Sequence, residues 1–146
     1  MRTVDEYSDK SRALKQVSHH GSNLICYSET IKNDKEVVLI AVKEDGLALK
    51  FASEKLRADK EVVLEAVKKE GNSLEFASED LKDDKEVVLI AVSSNQCAGF
   101  ATRFISEALK NDEEVMIASI KHFSRNMLHS SQQLKENKVC PQSCQN

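Results

Sequence analysis

The stretch DKEVVLIAV at residues 34–42 returns as DKEVVLEAV at 59–67 and again as DKEVVLIAV at 84–92. A related stretch, DEEVMIASI, begins at Asp112, so the leading aspartates are spaced by 25, 25 and 28 residues. Self-similarity at such a period is typical of stacked supersecondary units. A weaker copy begins 25 residues before the first one, at Asp9. The sequence therefore predicts units that start at 9, 34, 59, 84 and 112.

The four glycines of the chain set the register of these units. Each glycine lies ten residues before an apolar residue, in the pairs Gly21 and Ile31, Gly46 and Leu56, Gly71 and Leu81, Gly99 and Leu109. Glycine adopts the left-handed backbone conformation without a steric penalty, and helices commonly end on such a residue. The pattern predicts two helices in each unit, joined by a glycine turn in the left-handed conformation.

The first helix of each unit is expected to begin at the aspartate of the repeated stretch. A short acceptor side chain at that position satisfies free N–H groups of the first helical turn. The residue before the aspartate is an alternative cap, with a glutamate then at the third helical position as in a capping box. The alternative caps are Asn33, Asp83 and Asn111. The apolar run VVLIAV that follows is typical of a helix packed between neighbouring units.

The second helix is expected to run through GLALKFASEKL at 46–56, the clearest of its copies. Leu49, Ala52 and Leu56 then share one helical stripe that faces the first helix and the next unit. A serine recurs at one position of this helix, at Ser28, Ser53, Ser78, Ser106 and Ser131. Two interpretations of this serine are open: a small residue that permits close packing, or the cap of a restarted turn before the next unit.

These patterns predict an all-α fold, a right-handed-type α-solenoid of about five two-helix repeats with a 25-residue period. A unit of two short helices cannot bury its apolar stripe alone, so the units are expected to stack on one another. We predict an N-terminal segment at 1–8, a single repeat domain at 9–136 and a disordered tail at 137–146. The last unit, with a polar outer edge, is expected to act as a capping repeat.

Composition and charge argue against several function classes. Charged residues make up 31% of the 146-residue chain, and no apolar run is long enough to span a bilayer, so we expect no membrane role. A net charge of −3 argues against a nucleic-acid binder. The N-terminal residues show no apolar segment followed by a cleavage site. We therefore expect a cytoplasmic protein, with export to a host cell through another signal as an open alternative.

The chain carries none of the common catalytic or metal-binding patterns. It has no glycine-rich phosphate loop, no GxSxG, no HExxH and no DxDxDG calcium loop. Cys140 and Cys144 lie in the tail without a second pair of metal ligands. Cys26 follows two histidines but aligns with phenylalanines of later units, so we expect a buried and unreactive thiol. We predict no catalytic residue, no metal and no cofactor.

The unit that starts at 84 is three residues longer than the units before it, and the extra residues fall within SSNQCAG at 93–99. Insertions in solenoids often lie near the binding surface. A local packing adjustment that reorients the last unit is the other interpretation. The insertion also suggests an alternative function. In this hypothesis the protein is an enzyme or metal-dependent protein whose site combines Cys97 with His122 or His129.

The string LRADKEVVLEAVKKEGNSLEFASEDLKDDKEVVLIAV at 56–92 resembles the repeat family known as domain of unknown function 4116. Units of that family read much like L-K-x-D-[KR]-E-V-V-L-x-A-V-x-x-x-G-x-A-L-x-[FY]-A-S-E-x-L. This chain departs from the pattern at Asn72 and Ser73, at the insertion before Gly99 and at Ser124. The resemblance implies tandem helical units, found in bacterial and protist proteins and in some effectors of intracellular bacteria. It implies no activity and no catalytic residue.

The sequence is interpreted as a protein–protein interaction module without catalytic activity of its own. Interior positions are nearly constant between units, whereas one position of the second helix varies, as Lys50, Glu75 and Arg103. Repeat proteins acquire specificity on such variable positions. With the glutamates of the same helices, the predicted partner-binding residues are Lys50, Glu54, Glu75, Glu79, Arg103 and Glu107. Self-association end to end is a further alternative, and the oligomeric state is left open.

Overall fold

The computed structural model describes residues 4–94 and 101–121, with side-chain burial from residue 10 onward. The described residues contain helices and turns and no strand, which confirms the all-α class. The α-helices are α1 Val4–Val17, α2 Glu29–Lys32, α3 Lys35–Glu44, α4 Glu54–Arg57, α5 Lys60–Lys69, α6 Glu79–Lys82, α7 Lys85–Ser93 and α8 Glu107–Lys110. Three 3₁₀ helices lie between them, η1 Gly21–Cys26, η2 Gly46–Phe51 and η3 Gly71–Phe76. Residues 113–121 are also helical.

The units from 9, 34 and 59 repeat one order of elements: a long α-helix, a 3₁₀ helix and a four-residue α-helix. The long helices pack side by side, α1 on α3, α3 on α5 and α5 on α7. The 3₁₀ helices form a second row, η1 on η2 and η2 on η3, and they pack against the long helices. α1 begins at Val4, so the first long helix extends into the segment predicted at 1–8.

The aspartates of the repeated stretch cap the long helices, as predicted. Asp59 Oδ1 accepts hydrogen bonds from the backbone N–H groups of Glu61 and Val62, at 3.0 and 3.4 Å. The same pair of bonds is made by Asp34, Asp84 and Asp112. The alternative caps have another place, because Asn33, Asp83 and Asn111 each end a four-residue helix. The aspartate, rather than the residue before it, is therefore the N-cap of these helices.

The long helices contribute the same buried positions in the units from 34, 59 and 84. In α3 the buried residues are Val37, Val38, Ala41 and Val42, a spacing that places all four on one helical face. Their equivalents in α5 and α7 are also fully buried, at Val62, Val63, Ala66, Val67, Val87, Val88, Ala91 and Val92. Leu24, Leu49 and Leu74 of the 3₁₀ helices fill the space against this face and have no exposed surface. The core is thus a continuous layer between the two rows of helices.

The second half of each unit is not the continuous α-helix that the stripe of Leu49, Ala52 and Leu56 predicts. η2 ends at Phe51, Ala52 and Ser53 are extended with ψ near 156 and 157°, and α4 begins at Glu54. The three residues of the stripe are nevertheless buried, because the break redirects the chain without turning them to solvent. Ser53 Oγ accepts from the N–H of Leu56, so this serine caps a restarted helix, one of its two interpretations.

The three described glycines do not act as left-handed helix ends, so that expectation is wrong for them. Gly21, Gly46 and Gly71 each begin a 3₁₀ helix, and none has a φ angle in the left-handed region. What requires glycine is the close approach of the next unit. A Cβ atom on Gly46 would lie 2.6 Å from the backbone oxygen of Ala66, inside contact distance. The corresponding neighbours are Ala41 O for Gly21 and Ala91 O for Gly71.

Hydrogen bonds from the recurring serine join successive units. The N–H of Ser53 donates to the carbonyl of Lys32 in the unit before it, at 3.0 Å, and the N–H of Ser78 donates to the carbonyl of Arg57 at the same distance. Ser53 Oγ also donates to Asn33 Oδ1 at 2.7 Å. Ser78 Oγ is buried and has no hydrogen-bond partner, because the residue equivalent to Asn33 is Ala58.

We expect Ala58→Asn to stabilise the chain by about 1 kcal/mol, the usual contribution of one intramolecular hydrogen bond. Ala58 has φ −99° and ψ −1°, almost the angles of Asn33, so the new side chain needs no change of backbone. Urea denaturation followed by far-UV circular dichroism measures the free energy of unfolding. The same substitution in a Ser78→Ala background is the control, and an equal gain there would contradict a bond to Ser78.

Candidate functional site

The charges of the repeated Asp-Lys-Glu stretch connect each unit to the next. Lys35 Nζ lies 2.9 Å from Asp59 Oδ2 and 2.7 Å from Glu61 Oε2 of the following unit. The equivalent contacts join Lys10 to Asp34 and Glu36, Lys60 to Asp84 and Glu86, and Lys85 to Asp112 and Glu114. These four lysines with their carboxylates are called the lysine ladder below. The sequence analysis did not predict these contacts between units.

The ladder shifts the pKa values of its members toward the charged forms. Burial opposes ionisation of Asp59, but the hydrogen bonds from Lys35 and from the N–H of Val62 outweigh it, so the pKa falls below the usual 3.8. The pKa values of Asp34, Asp84 and Asp112 are lowered as well. Hydrogen bonds to Asp34 and then to Glu36 raise the pKa of Lys10 to about 12. The other ladder lysines shift in the same direction.

We expect the ladder to lose its stabilising effect at both extremes of pH. The aspartate contribution is present above pH 3.8 and is lost as the pH falls through the lowered folded-state pKa values. The lysine contribution is complete below pH 10.5 and is lost as the pH rises through the raised values. Thermal unfolding midpoints across the acidic range check the first limb. Asp59→Asn keeps a capping oxygen without the charge, so its midpoint should fall less in acid than that of the unchanged chain. An equal fall would contradict the ladder.

The predicted variable position lies on the surface in every unit where it is described. Lys50, Glu75 and Arg103 are all exposed, as the sequence predicts. The first unit places Ile25 at the same position, and this side chain is 55% exposed although it is apolar. Sequence reasoning missed Ile25 because the first unit aligns weakly, but its position 25 residues before Lys50 was a sufficient signal. Ile25, Lys50, Glu75 and Arg103 are called row A below.

The other three predicted residues form local ion pairs. Glu54, Glu79 and Glu107 are exposed and begin the four-residue helices. Glu79 Oε1 lies 2.8 Å from Lys82 Nζ, three residues later in the same helix. The same spacing pairs Glu54 with Arg57, Glu107 with Lys110, and Glu29 with Lys32 in the first unit. Such pairs support the fold of each unit, and a partner-binding role of these three glutamates stays a prediction.

A second variable position was missed by sequence reasoning. The residue after each of these glutamates changes from unit to unit and is exposed in all four, as Thr30, Lys55, Asp80 and Ala108. These four residues are called row B below. Aligning the units, as was done for Lys50, Glu75 and Arg103, would also have shown the variation of row B. Only the exposure of its residues required the structure.

Phenylalanine rings lie beside row A. Phe51, Phe76 and Phe104 follow the row A residues in the chain, and each is half-buried against the core. The ammonium group of Lys50 lies 4.8 Å from the centroid of the Phe51 ring. In the first unit this position is Cys26, which is exposed, so the expected burial of this thiol is wrong. The cysteine is smaller than the phenylalanine of the later units, and its side chain is exposed to solvent.

Within 4–94 and 101–121, no group of three or more His, Cys, Asp and Glu residues could hold a metal ion. Burial, and then the charge of Asp45, raise the pKa of Glu70 above its usual 4.5. Asp45 itself accepts the N–H of Leu47 and caps η2. The alternative site of Cys97 with His122 or His129 lies outside the described residues, as do most of the insertion and the tail.

A family model described as Domain of unknown function (DUF4116) matches the chain twice in tandem, over residues 9–57 and 59–98. The second match begins at Asp59, the cap of α5, and so respects the unit boundaries. Neither the curated proteins nor the solved structures gave a match. In the part of the chain that the structure describes, no helix is both long enough and apolar enough to cross a membrane.

Proposed function

The chain belongs to the DUF4116 family, and on that premise we propose that it is a helical-repeat module that binds another protein and has no catalytic activity of its own. Its architecture is proposed to be an α-solenoid of about five repeats, of right-handed sense. The side-by-side packing of α1, α3, α5 and α7 supports a stacked array. The handedness and the fifth repeat stay predictions.

The single observation that carries the proposal is the contrast between constant buried positions and variable exposed ones. Valines and leucines recur unchanged in the core, whereas rows A and B change in charge and size from unit to unit. An array with a constant interior is a general support on which exposed positions are free to fit a partner. The partner-binding residues proposed are Ile25, Lys50, Glu75 and Arg103 of row A with Lys55 and Asp80 of row B.

The partner is proposed to be a protein rather than a nucleic acid. Rows A and B carry both signs of charge, with Lys50 and Lys55 in one unit and Glu75 and Asp80 in the next. A surface that tracks a phosphate backbone concentrates lysine and arginine on one face instead. The half-buried phenylalanines beside row A add the kind of aromatic contact that is enriched at protein interfaces.

Affinity capture from the native cell extract tests the proposal, with quantitative mass spectrometry of the captured proteins. We expect a protein that the unchanged chain captures to be lost with Glu75→Lys combined with Arg103→Glu. Glu44→Lys is the matched control, since Glu44 is exposed at the end of α3 and belongs to neither row. Equal capture by all three chains would place the binding surface elsewhere.

One observation favours self-association as a second candidate. Met116 and Ile120 of the helix at 113–121 are 47% and 57% exposed, whereas their equivalents in α3, Val38 and Val42, are fully buried. An apolar face of this kind would suit a second copy of the chain. Sedimentation velocity at several concentrations tests the candidate. Self-association that is lost in the Met116→Ser, Ile120→Ser double variant would support this candidate. A monomer at every concentration would rule it out.

A further inference from the structure

The charged residues of rows A and B differ in ion pairing from the charges that are constant between units. Charges that are constant between units are paired, either in the lysine ladder or within the four-residue helices. The charges of rows A and B, which are Lys50, Lys55, Glu75, Asp80 and Arg103, have no ion pair with any described residue. Another variable pair, Glu65 and Lys68, is paired within α5 at 2.9 Å. The constant charges are therefore used in folding, and the charges of rows A and B remain available to a partner.

The charges of rows A and B have the same sign within a unit and opposite signs in successive units. The unit from 34 places Lys50 in row A and Lys55 in row B, so both rows are basic there. The unit from 59 has Glu75 and Asp80, so both rows are acidic. The unit from 84 has Arg103 with the neutral Ala108, and is basic again. The two rows together present the order basic, acidic, basic along the array.

This inference rests on the proposed function, and it specifies the partner. We propose that the partner is an amphipathic helix that crosses the units from 34, 59 and 84 and presents acidic, basic and acidic side chains in that order. Opposite charges across an interface fix the register of a partner and exclude partners with the reversed order, since like charges in contact are unfavourable. The order of charges thus selects the register in which the helix binds.

The spacing of the units suits a helical partner. Packed helices lie about 8–10 Å apart, so equivalent residues of successive units recur at roughly that interval. A helix rises about 1.5 Å per residue, and side chains seven residues apart lie on one face at about 10.5 Å. A partner helix with a charge at every seventh position therefore matches the three units. Apolar residues between those charges would contact Phe51 and Phe76, the half-buried rings beside row A.

Two synthetic helical peptides test the proposal by fluorescence anisotropy. One peptide carries Glu, Lys and Glu at seven-residue intervals on an apolar face, and the other carries Lys, Glu and Lys. Compensating charges on the opposite face give both peptides the same net charge. We expect the unchanged chain to bind the Glu-Lys-Glu peptide at least about tenfold more tightly, a difference of about 1.4 kcal/mol. Added salt should reduce this difference, because exposed charges are screened.

Charge reversal in the protein supplies the decisive comparison. Lys50→Glu, Glu75→Lys and Arg103→Glu together should reverse the preference, so that the Lys-Glu-Lys peptide binds more tightly. Lys43→Glu is the matched control on the exposed face of α3, and it should keep the original preference. Equal affinity for both peptides, no binding of either, or a preference that the triple reversal leaves unchanged would overturn the proposal. A captured protein partner without any preference for charge order would retain the proposed function and remove this inference alone.

Discussion

Gly46→Ala should destabilise the chain by about 2–3 kcal/mol, as expected for overpacking of a tight contact. The added Cβ would lie 2.6 Å from the backbone oxygen of Ala66 and 2.9 Å from Ser73 Oγ. The serine hydroxyl can rotate away, but the carbonyl belongs to α5, so the two units must separate. Urea denaturation followed by far-UV circular dichroism measures the loss of unfolding free energy.

The size of the substituted side chain distinguishes the close contact from a conformational requirement. The cost should rise from Gly46→Ala to Gly46→Val, because a larger group pushes further against α5. Gly46→Ala combined with Ser73→Ala should still be destabilised, since the carbonyl of Ala66 stays in place. A stabilised Gly46→Ala chain, the usual result where alanine fits and only the unfolded state is affected, would contradict the contact.

Leu74→Ala should destabilise the chain by about 3 kcal/mol, within the range of about 2–5 kcal/mol measured for buried leucines. Leu74 is fully buried, and its side chain fills the layer between η3 and the long helices. The neighbouring Glu75→Ala is the matched control, since this side chain is exposed and should change the free energy by less than about 0.5 kcal/mol. The same urea denaturation measures both variants. Equal effects of the two substitutions would mean that the layer is not the core.

The parts of the fold that depend on chain neighbours were predictable from the sequence. Asp59 needs only the N–H groups two and three residues later to cap α5. The buried face of Val62, Val63, Ala66 and Val67 follows from helical spacing alone. The exposed variable residues of row A follow from alignment of the units. Each of these inferences uses local geometry, which a single sequence contains.

The parts that depend on contact between units were not predictable. A periodic glycine has two possible causes, a left-handed φ angle or a close neighbour, and only the position of the Ala66 carbonyl distinguishes them. Lys35 pairs with Asp59, 24 residues later, and the sequence does not show which carboxylates lie within its reach. The break at Ser53 depends in the same way on a hydrogen bond to Lys32 of the unit before. Contacts that form only when units stack do not change the local periodicity of the sequence, so the sequence cannot predict them.

The constant glutamates have a structural role that their predicted partner contact did not include. Glu54, Glu79 and Glu107 were predicted to bind a partner because they lie on the same surface as Lys50, Glu75 and Arg103. The structure shows that they pair with a basic residue three positions later. Such pairs at helical spacing stabilise short helices. The pairing was available from the sequence, since a basic residue follows each glutamate at that spacing.

Nuclear magnetic resonance can detect hydrogen bonds between units directly, through the scalar coupling between a donor nitrogen and the acceptor carbonyl carbon. The stacking of each unit on the one before it predicts couplings from the Ser53 nitrogen to the Lys32 carbonyl and from the Ser78 nitrogen to the Arg57 carbonyl. Both couplings in a labelled sample would establish the register of three successive units. A continuous second helix would instead couple Ser53 to Leu49, four residues earlier, and that result would contradict the account.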